Sequence, residues 1–425
     1  MKKLVSLLFH RVFLVAVFLL IQVAVLLLMI VRFNSYFVYF YWICVAVSLL
    51  AVLWILGNKS DPAYKIAWIV PILLFPIFGG LFYLIFGGNR LNSRTTRRMQ
   101  GLERKMEQVL RPDYKAGDLI RIGEDAVHQA RYLENMAHCP VYGDTVTEYF
   151  SLGEFCFQRM VEELEKAERY IFLEYFIVEE GEMWNTILDI LKEKAAQGVD
   201  VRFLYDDIGC MFTLPRNYAR DLEAQTGIQC GVFNPFVPVL SIRLNNRDHR
   251  KICVVDGKVG FTGGINLADE YINTKLKYGH WKDSAIMVKG DAAWSMTVMF
   301  LTLWDDVRGT LTEDYDLLRP IWQPGEKPQG VQGYVQPYTD NPLDGEAVGQ
   351  SVYLNLINKA RKYVYITTPY LIVDNSVHNA LCIAAKSGVD VRIMTPHIPD
   401  KKTVFELTRS HYELLLEAGV KIYEY

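Results

Sequence analysis

A segment of about sixty residues occurs twice in this chain, and the repetition limits what it can fold into. The first copy reads Lys166-Ala-Glu-Arg-Tyr-Ile-Phe-Leu-Glu-Tyr-Phe-Ile-Val178 and the second Lys359-Ala-Arg-Lys-Tyr-Val-Tyr-Ile-Thr-Thr-Pro-Tyr-Leu-Ile-Val373. Each is followed by a helical pattern and then by Gly-Val-Asp-Val-Arg, at Gly198–Arg202 and Gly388–Arg392. A further helix and a Gly-initiated strand follow, from Gly227 and from Gly419. The repeated unit is strand, helix, strand, helix, strand, which predicts an α/β fold of duplicated halves with sheets covered by helices.

The copies differ downstream. Twenty-two residues after Gly227 comes His249, opening His-Arg-Lys-Ile-Cys-Val-Val-Asp-Gly-Lys-Val-Gly-Phe-Thr-Gly-Gly-Ile-Asn266. Alternation along a strand sends His249 and Lys251 to one side. Neutral imidazole is available as a nucleophile near pH 7, and an ammonium beside it can hold a phosphate oxygen. Asp256 is seven residues on and precedes Gly257, so its expected role is to position the local structure. Gly263 and Gly264 allow close backbone approach to a ligand, and Asn266 offers a neutral amide donor. A nucleophilic imidazole needs a carboxylate to orient it. The candidates are Asp283, in Gly279-His-Trp-Lys-Asp283, and Glu174, which interrupts an apolar run. His280 and Lys282 repeat the His-x-Lys pattern, but Met287 stands where the aspartate should be. Asp206-Asp207 reads as a strand-end polar pair, with Asp207 or Gly209 near the site.

By the repeat's own spacing, a second motif histidine is expected roughly sixteen residues past Tyr425. His378, His397 and His411 all lack a lysine two positions on. The expectation is a C-terminally truncated second half.

The first ninety residues are of another kind. Apolar stretches at about 12–31, 36–56 and 66–86 each approach the roughly 20 residues that cross a bilayer as a helix. Arginines at 90, 94, 97 and 98 then favour a cytoplasmic catalytic part. Pro71, Pro76 and Gly79-Gly80 make the third stretch the irregular one. The expected organisation is a transmembrane anchor over 1–87, a charged helical linker over 88–135 and a first half over 136–310. A connector over 311–335 and an incomplete second half over 336–425 follow. The net charge of −3 argues against a general nucleic-acid binder. Seven cysteines without Cys-x2-Cys pairing fit a reducing compartment and no metal site.

In order, the segment from Trp68 to Gly87, Tyr205-Asp-Asp-Ile-Gly209, the His249 motif, Gly263–Tyr271, Trp281-Lys-Asp283 and Thr368-Pro-Tyr370 resemble the bacterial phospholipase D-type cardiolipin synthases. The resemblance implies two similar α/β halves with the active site between them. It implies transfer of a phosphatidyl group between two phosphatidylglycerol molecules through a phosphohistidine, without metal or cofactor. His249 matches the first-half histidine, as nucleophile or acid, and Lys251 and Asn266 match phosphate binders. Thr368-Pro369-Tyr370 would line the same cleft. The implied partners are phosphatidylglycerol and other phospholipids of a bacterial cell membrane, with self-association of the chain a further possibility and no nucleic acid. Two alternatives stay open: a phosphodiesterase that uses water, and an inactive membrane-bound lipid-binding fragment.

Overall fold

The computed structural model describes residues 37–58, 62–75, 79–80, 83, 101, 104–110, 116–236, 247–340 and 346–425, with 24, 27 and 31 as single positions. The chain divides into two compact units. One comprises 1–92 with 234–247, the other 93–233 with 248–425.

In the first unit, α1 (Phe37–Gly57) and α2 (Pro62–Leu74) form a helix pair. Ala51, Ile55, Ile72 and Tyr83 make its small core. Gly79 and Gly80 lie against this pair so closely that an added Cβ would fall 2.4 Å from the Ile72 Cα and 2.7 Å from the Ser48 Cα. The three expected membrane spans are not reproduced. The stretch at 12–31 lies outside the described residues apart from single positions. Of the third, α2 takes in 66–74 with Pro71 inside it, and 79, 80 and 83 are also helical. Among the described residues no helix is long and apolar enough to cross a membrane. The nearest is α1, which is uncharged.

The second unit holds both halves of the repeat. Its first elements are α3 (Glu124–Met136), β1 (Thr145–Phe150), α4 (Gly153–Leu164), β2 (Tyr170–Tyr175), α5 (Glu182–Ala196), β3 (Asp200–Asp206), α6 (Tyr218–Thr226) and β4 (Gln229–Phe233). Then come β5 (Ile252–Val255), β6 (Val259–Gly263), β7 (Ala285–Gly290) and α7 (Ala293–Arg308). Seven strands form one mixed sheet in the order β1-β7-β6-β5-β2-β3-β4. β2, β3 and β4 are parallel, and β5 joins β2 antiparallel.

β2 is buried along its whole length because both faces are covered. Ile171 and Leu173 pack with Met160 of α4 and Trp184 and Ile187 of α5. Tyr170 and Phe172 face α7, where Phe172 stacks on Phe300 at 4.8 Å. A strand covered on both faces reads as a continuous apolar run, and Ile-Phe-Leu-Glu-Tyr-Phe is one with a single interruption.

The second half continues with α8 (Val348–Lys359), β8 (Tyr363–Thr367), α9 (Asn375–Lys386) and β9 (Asp390–Thr395). It ends with α10 (Lys402–Ser410), α11 (Tyr412–Glu417) and β10 (Lys421–Glu424). Its three strands are parallel, in the order β10-β9-β8. Even the register repeats: Tyr170 pairs with Asp200 and Tyr363 with Asp390. The duplicated Gly-Val-Asp-Val-Arg acquires a reason. Gly198 and Gly388 end the preceding helices at φ 92° and 91°, which a glycine adopts without strain. Val201 and Val391 are buried. Asp200–Arg202 and Asp390–Arg392 pair along the strand at 2.7 Å each.

The expected linker is corrected. Its residues 88–100, 102–103 and 111–115 lie outside the described residues, but others pack into the second unit's core. Met106 and Leu110 pack in the α7 cluster, and Val127 and Ala130 of α3 pack with Leu119 and Val141.

Candidate functional site

His249 and Lys251 lie in the extended segment just before β5, one turn of the alternation earlier than a strand position. Their shared side holds. The His249 ring packs on Phe176 at 4.8 Å between centroids. The Lys251 ammonium stands 5.6 Å above the same Phe176 ring and donates to the His249 carbonyl at 2.8 Å. Phe176, at the end of β2, is the floor beneath both. Gly209 secures it from below, since a Cβ there would lie 1.9 Å from the Phe176 carbonyl oxygen.

His249 is at the exposed lip of the cleft. The protein crowding it, and next the Lys251 ammonium, hold its pKa below the ordinary imidazole value; Asp248 opposes and Lys401 adds to the lowering. The ring is therefore neutral at pH 7. Lys251 is only 4% exposed, and its burial lowers its pKa to about 8, with Asp248 and Asp283 opposing. A neutral imidazole beside a partly desolvated ammonium is suited to attack a phosphodiester and to hold its charge.

Asp283 reaches the same region. Its carboxyl is pushed up by burial and held down by the Ser284 N–H, Trp281 and Lys251; the Ser284 N–H donates to Oδ1 at 2.8 Å. Gly264 exists to make room for it, because a Cβ there would fall 2.0 Å from Asp283 Oδ1. At Gly263 a Cβ would meet the Ser284 carbonyl at 2.4 Å. The two glycines thus serve strand-to-strand packing around Asp283. Asn266 is buried with both ends of its amide engaged. Oδ1 accepts from the Ile177 N–H at 3.0 Å and Nδ2 donates to the Tyr271 hydroxyl at 2.8 Å. It ties the loop after Phe176 to Tyr271, which packs on Trp281 at 5.1 Å.

Two sequence candidates stand apart. Asp256 is at the other end of β5, in a left-handed turn at φ 53°. Its carboxylate accepts three backbone N–H groups that start β2, from Glu168 at 2.9 Å and from Arg169 and Tyr170 at 2.8 Å. It clamps β2 to β5 away from the cleft, a positioning role and not a catalytic one. Glu174 lies on the opposite side of the motif segment, paired with Arg250 at 2.6 Å. The expected orienting carboxylate is also corrected: neither Asp283 nor Glu174 hydrogen-bonds the His249 ring. Asp283 instead neighbours Lys251.

Several residues escaped the sequence reading. Phe176, Asp248, Arg250 and Lys401 carry no motif signal beyond their neighbours. Asp206 reaches the motif, accepting the Asp248 N–H at 3.1 Å. Lys401 comes from the loop before α10 and lies 5.2 Å over the Tyr370 ring, so the second half does border the cleft. Tyr370 and Asp400 there are hydrogen-bonded, and a Cβ added at Gly279 would lie 4.0 Å from Ile398 Cδ1. Among the described residues no cluster of three or more His, Cys, Asp or Glu is arranged to hold a metal ion.

The family model described as "Cardiolipin synthase, PLD-like domain" matches residues 160–298 and 353–425, and "Phospholipase_D-nuclease N-terminal" matches 46–88. An uncharacterized protein of Streptococcus mutans is 44% identical over 380 residues, 88% of this chain and 80% of its own. A cardiolipin synthase of Geobacillus kaustophilus is 37% identical over 384 residues, 89% of this chain and 75% of its own. A solved phosphatidylserine synthase of Haemophilus influenzae aligns with 70% of this chain and 78% of its own, at TM-score 0.47 and 15% identity.

Proposed function

The chain belongs to the cardiolipin synthase family of phospholipase D-like proteins, and from that premise we propose that it transfers a phosphatidyl group between two phosphatidylglycerol molecules. The observation that carries the reading is the neutral His249 imidazole standing over Phe176 beside the Lys251 ammonium. In the first step an imidazole nitrogen of His249 bonds to phosphorus and the phosphorus–glycerol oxygen bond breaks. The departing glycerol takes a proton from a second acid. In the second step a hydroxyl of another phosphatidylglycerol bonds to phosphorus, the nitrogen–phosphorus bond breaks, and the hydroxyl proton passes to that acid's conjugate base. The products are cardiolipin and glycerol. Lys251 holds the phosphoryl oxygens throughout.

The apolar surface of α1, where Trp42, Ile43, Leu50, Leu53 and Trp54 are exposed, supports attachment to a phospholipid membrane. The test is purified protein in phosphatidylglycerol vesicles, followed for cardiolipin and glycerol. Cardiolipin that disappears in His249→Ala supports transfer. Phosphatidic acid in its place means hydrolysis. Vesicle binding without either product would refute transfer by this chain.

A further inference from the structure

Behind the His249 segment lies a buried charge cluster that the proposed chemistry does not use. The alternation that brings His249 and Lys251 to the cleft sends Asp248 and Arg250 inward. There they meet Glu174, from the middle of β2, which is completely buried. Glu174 Oε1 is 2.6 Å from Arg250 Nε, and the same Nε is 3.4 Å from Asp248 Oδ1. Asp248 Oδ1 also accepts the Arg250 backbone N–H at 3.2 Å. The Arg250 guanidinium is held at its far side by the Thr339 hydroxyl at 3.2 Å. Asp248 in turn donates its N–H to Asp206, whose other oxygen accepts from Ile208 and Gly209.

If every carboxyl is ionised, buried oxygens are left without a donor. The charged groups facing Glu174 are Arg250 and Asp248, and Asp248 also faces the Lys251 ammonium. Glu174 Oε2 and Asp248 Oδ2 are both buried and make no hydrogen bond. Buried polar atoms are rarely left so. One proton held between the two carboxyls satisfies both oxygens.

We propose that Glu174 is a positioning residue for His249: it shares one proton with Asp248, holds the Arg250 guanidinium against β2, and thereby fixes where the His249 ring stands in the cleft. Burial drives the Glu174 carboxyl well above its ordinary range, Arg250 opposing and Asp248 adding, in keeping with this geometry. The catalytic part of the inference rests on the reading of His249 as the reacting group.

The experiment compares wild type, Glu174→Gln and Glu174→Ala as the full chain. Glutamine is the neutral isostere of the protonated acid: its amide can donate to Asp248 while its oxygen accepts from Arg250. The infrared spectrum at pH 7 should show a protonated carboxyl band in wild type that is lost in Glu174→Gln. The His249 imidazole titration, read by NMR, should be the same in wild type and Glu174→Gln. In Glu174→Ala it should move back up toward the ordinary value, as the loosened segment lets water reach the ring. Turnover should be restored to within about threefold by Gln and fall about 10²-fold in Ala, the scale of a displaced reacting group, mostly in kcat. An ionised Glu174 predicts the opposite: no such band, and Gln behaving like Ala in the imidazole titration. That outcome overturns the proposal. If Ala does not fold, the band and the Gln titration still decide it. A wild type without turnover would sink the reading of His249, while the infrared and NMR arms would still decide the proton and the positioning.

Discussion

At the scale of single residues, the cleft asks for two opposite protonation states at once. His249 must be neutral and Lys251 charged. His249 loses its lone pair as pH falls through its lowered pKa, and Lys251 loses its charge as pH rises through about 8. Turnover should therefore be bell-shaped, with the upper limb near 8. Lys251→Met should cost about 10²-fold in kcat and remove that upper limb. It should also move the lower limb to higher pH, because the ammonium no longer opposes His249 protonation; a pH–rate profile of both proteins checks this. Asp256 belongs to stability. With its three backbone N–H donors left unmatched, Asp256→Ala should destabilise by about 3 kcal/mol, read by denaturant titration. Gly264→Ala should cost about 1–3 kcal/mol by crowding Asp283. Its combination with Asp283→Ala should cost less than the sum of the two, since the clash is between these two side chains.

Among the elements, β2 and β8 are a controlled comparison. They occupy the same place in the repeat and hold the same register, yet their surroundings differ. Tyr170 and Phe172 are 1% and 0% exposed beneath α7, whereas Tyr363 and Tyr365 are 62% and 55% exposed. The core of the second half lies on the other face, among Ile357, Leu381, Val391, Ile393 and Leu415. Phe172→Ala should cost about 3–5 kcal/mol. Tyr365→Ala, at the equivalent repeat position, should change stability by less than about 0.5 kcal/mol. Chemical denaturation of the two variants side by side checks this. Equal losses would mean that Tyr365 is covered in solution.

For the whole molecule, the proposed attachment belongs to the helical unit and the proposed chemistry to the α/β unit. The exposed apolar side chains of α1 form a surface that water solvates poorly. The protein should stay with the membrane pellet through a carbonate wash. Replacing Leu50 and Leu53 by lysine should shift it toward the supernatant without altering the His249 titration. Retention of that doubly charged variant in the pellet would place the attachment elsewhere.

The architecture was largely legible in the sequence because a strand-helix-strand repeat announces itself through hydrophobic period and through Gly-Val-Asp-Val-Arg, whose glycine, valine and ion pair are all local requirements. The pairing of His249 with Lys251 was legible for the same reason, since alternation acts between residues two apart. What lay across the chain was not. Asp256 reads from its spacing as a positioning residue, but only the pairing of β2 with β5 shows that its partners are three amide donors some eighty-seven residues away in sequence. Gly263 and Gly264 looked like a ligand cradle until Asp283 filled the space. Asp283 and Glu174 are each carboxylates near the motif, but only tertiary packing assigns one to Lys251 and the other to Arg250. Alternation says which side a residue takes; it does not say what another strand has brought to that side.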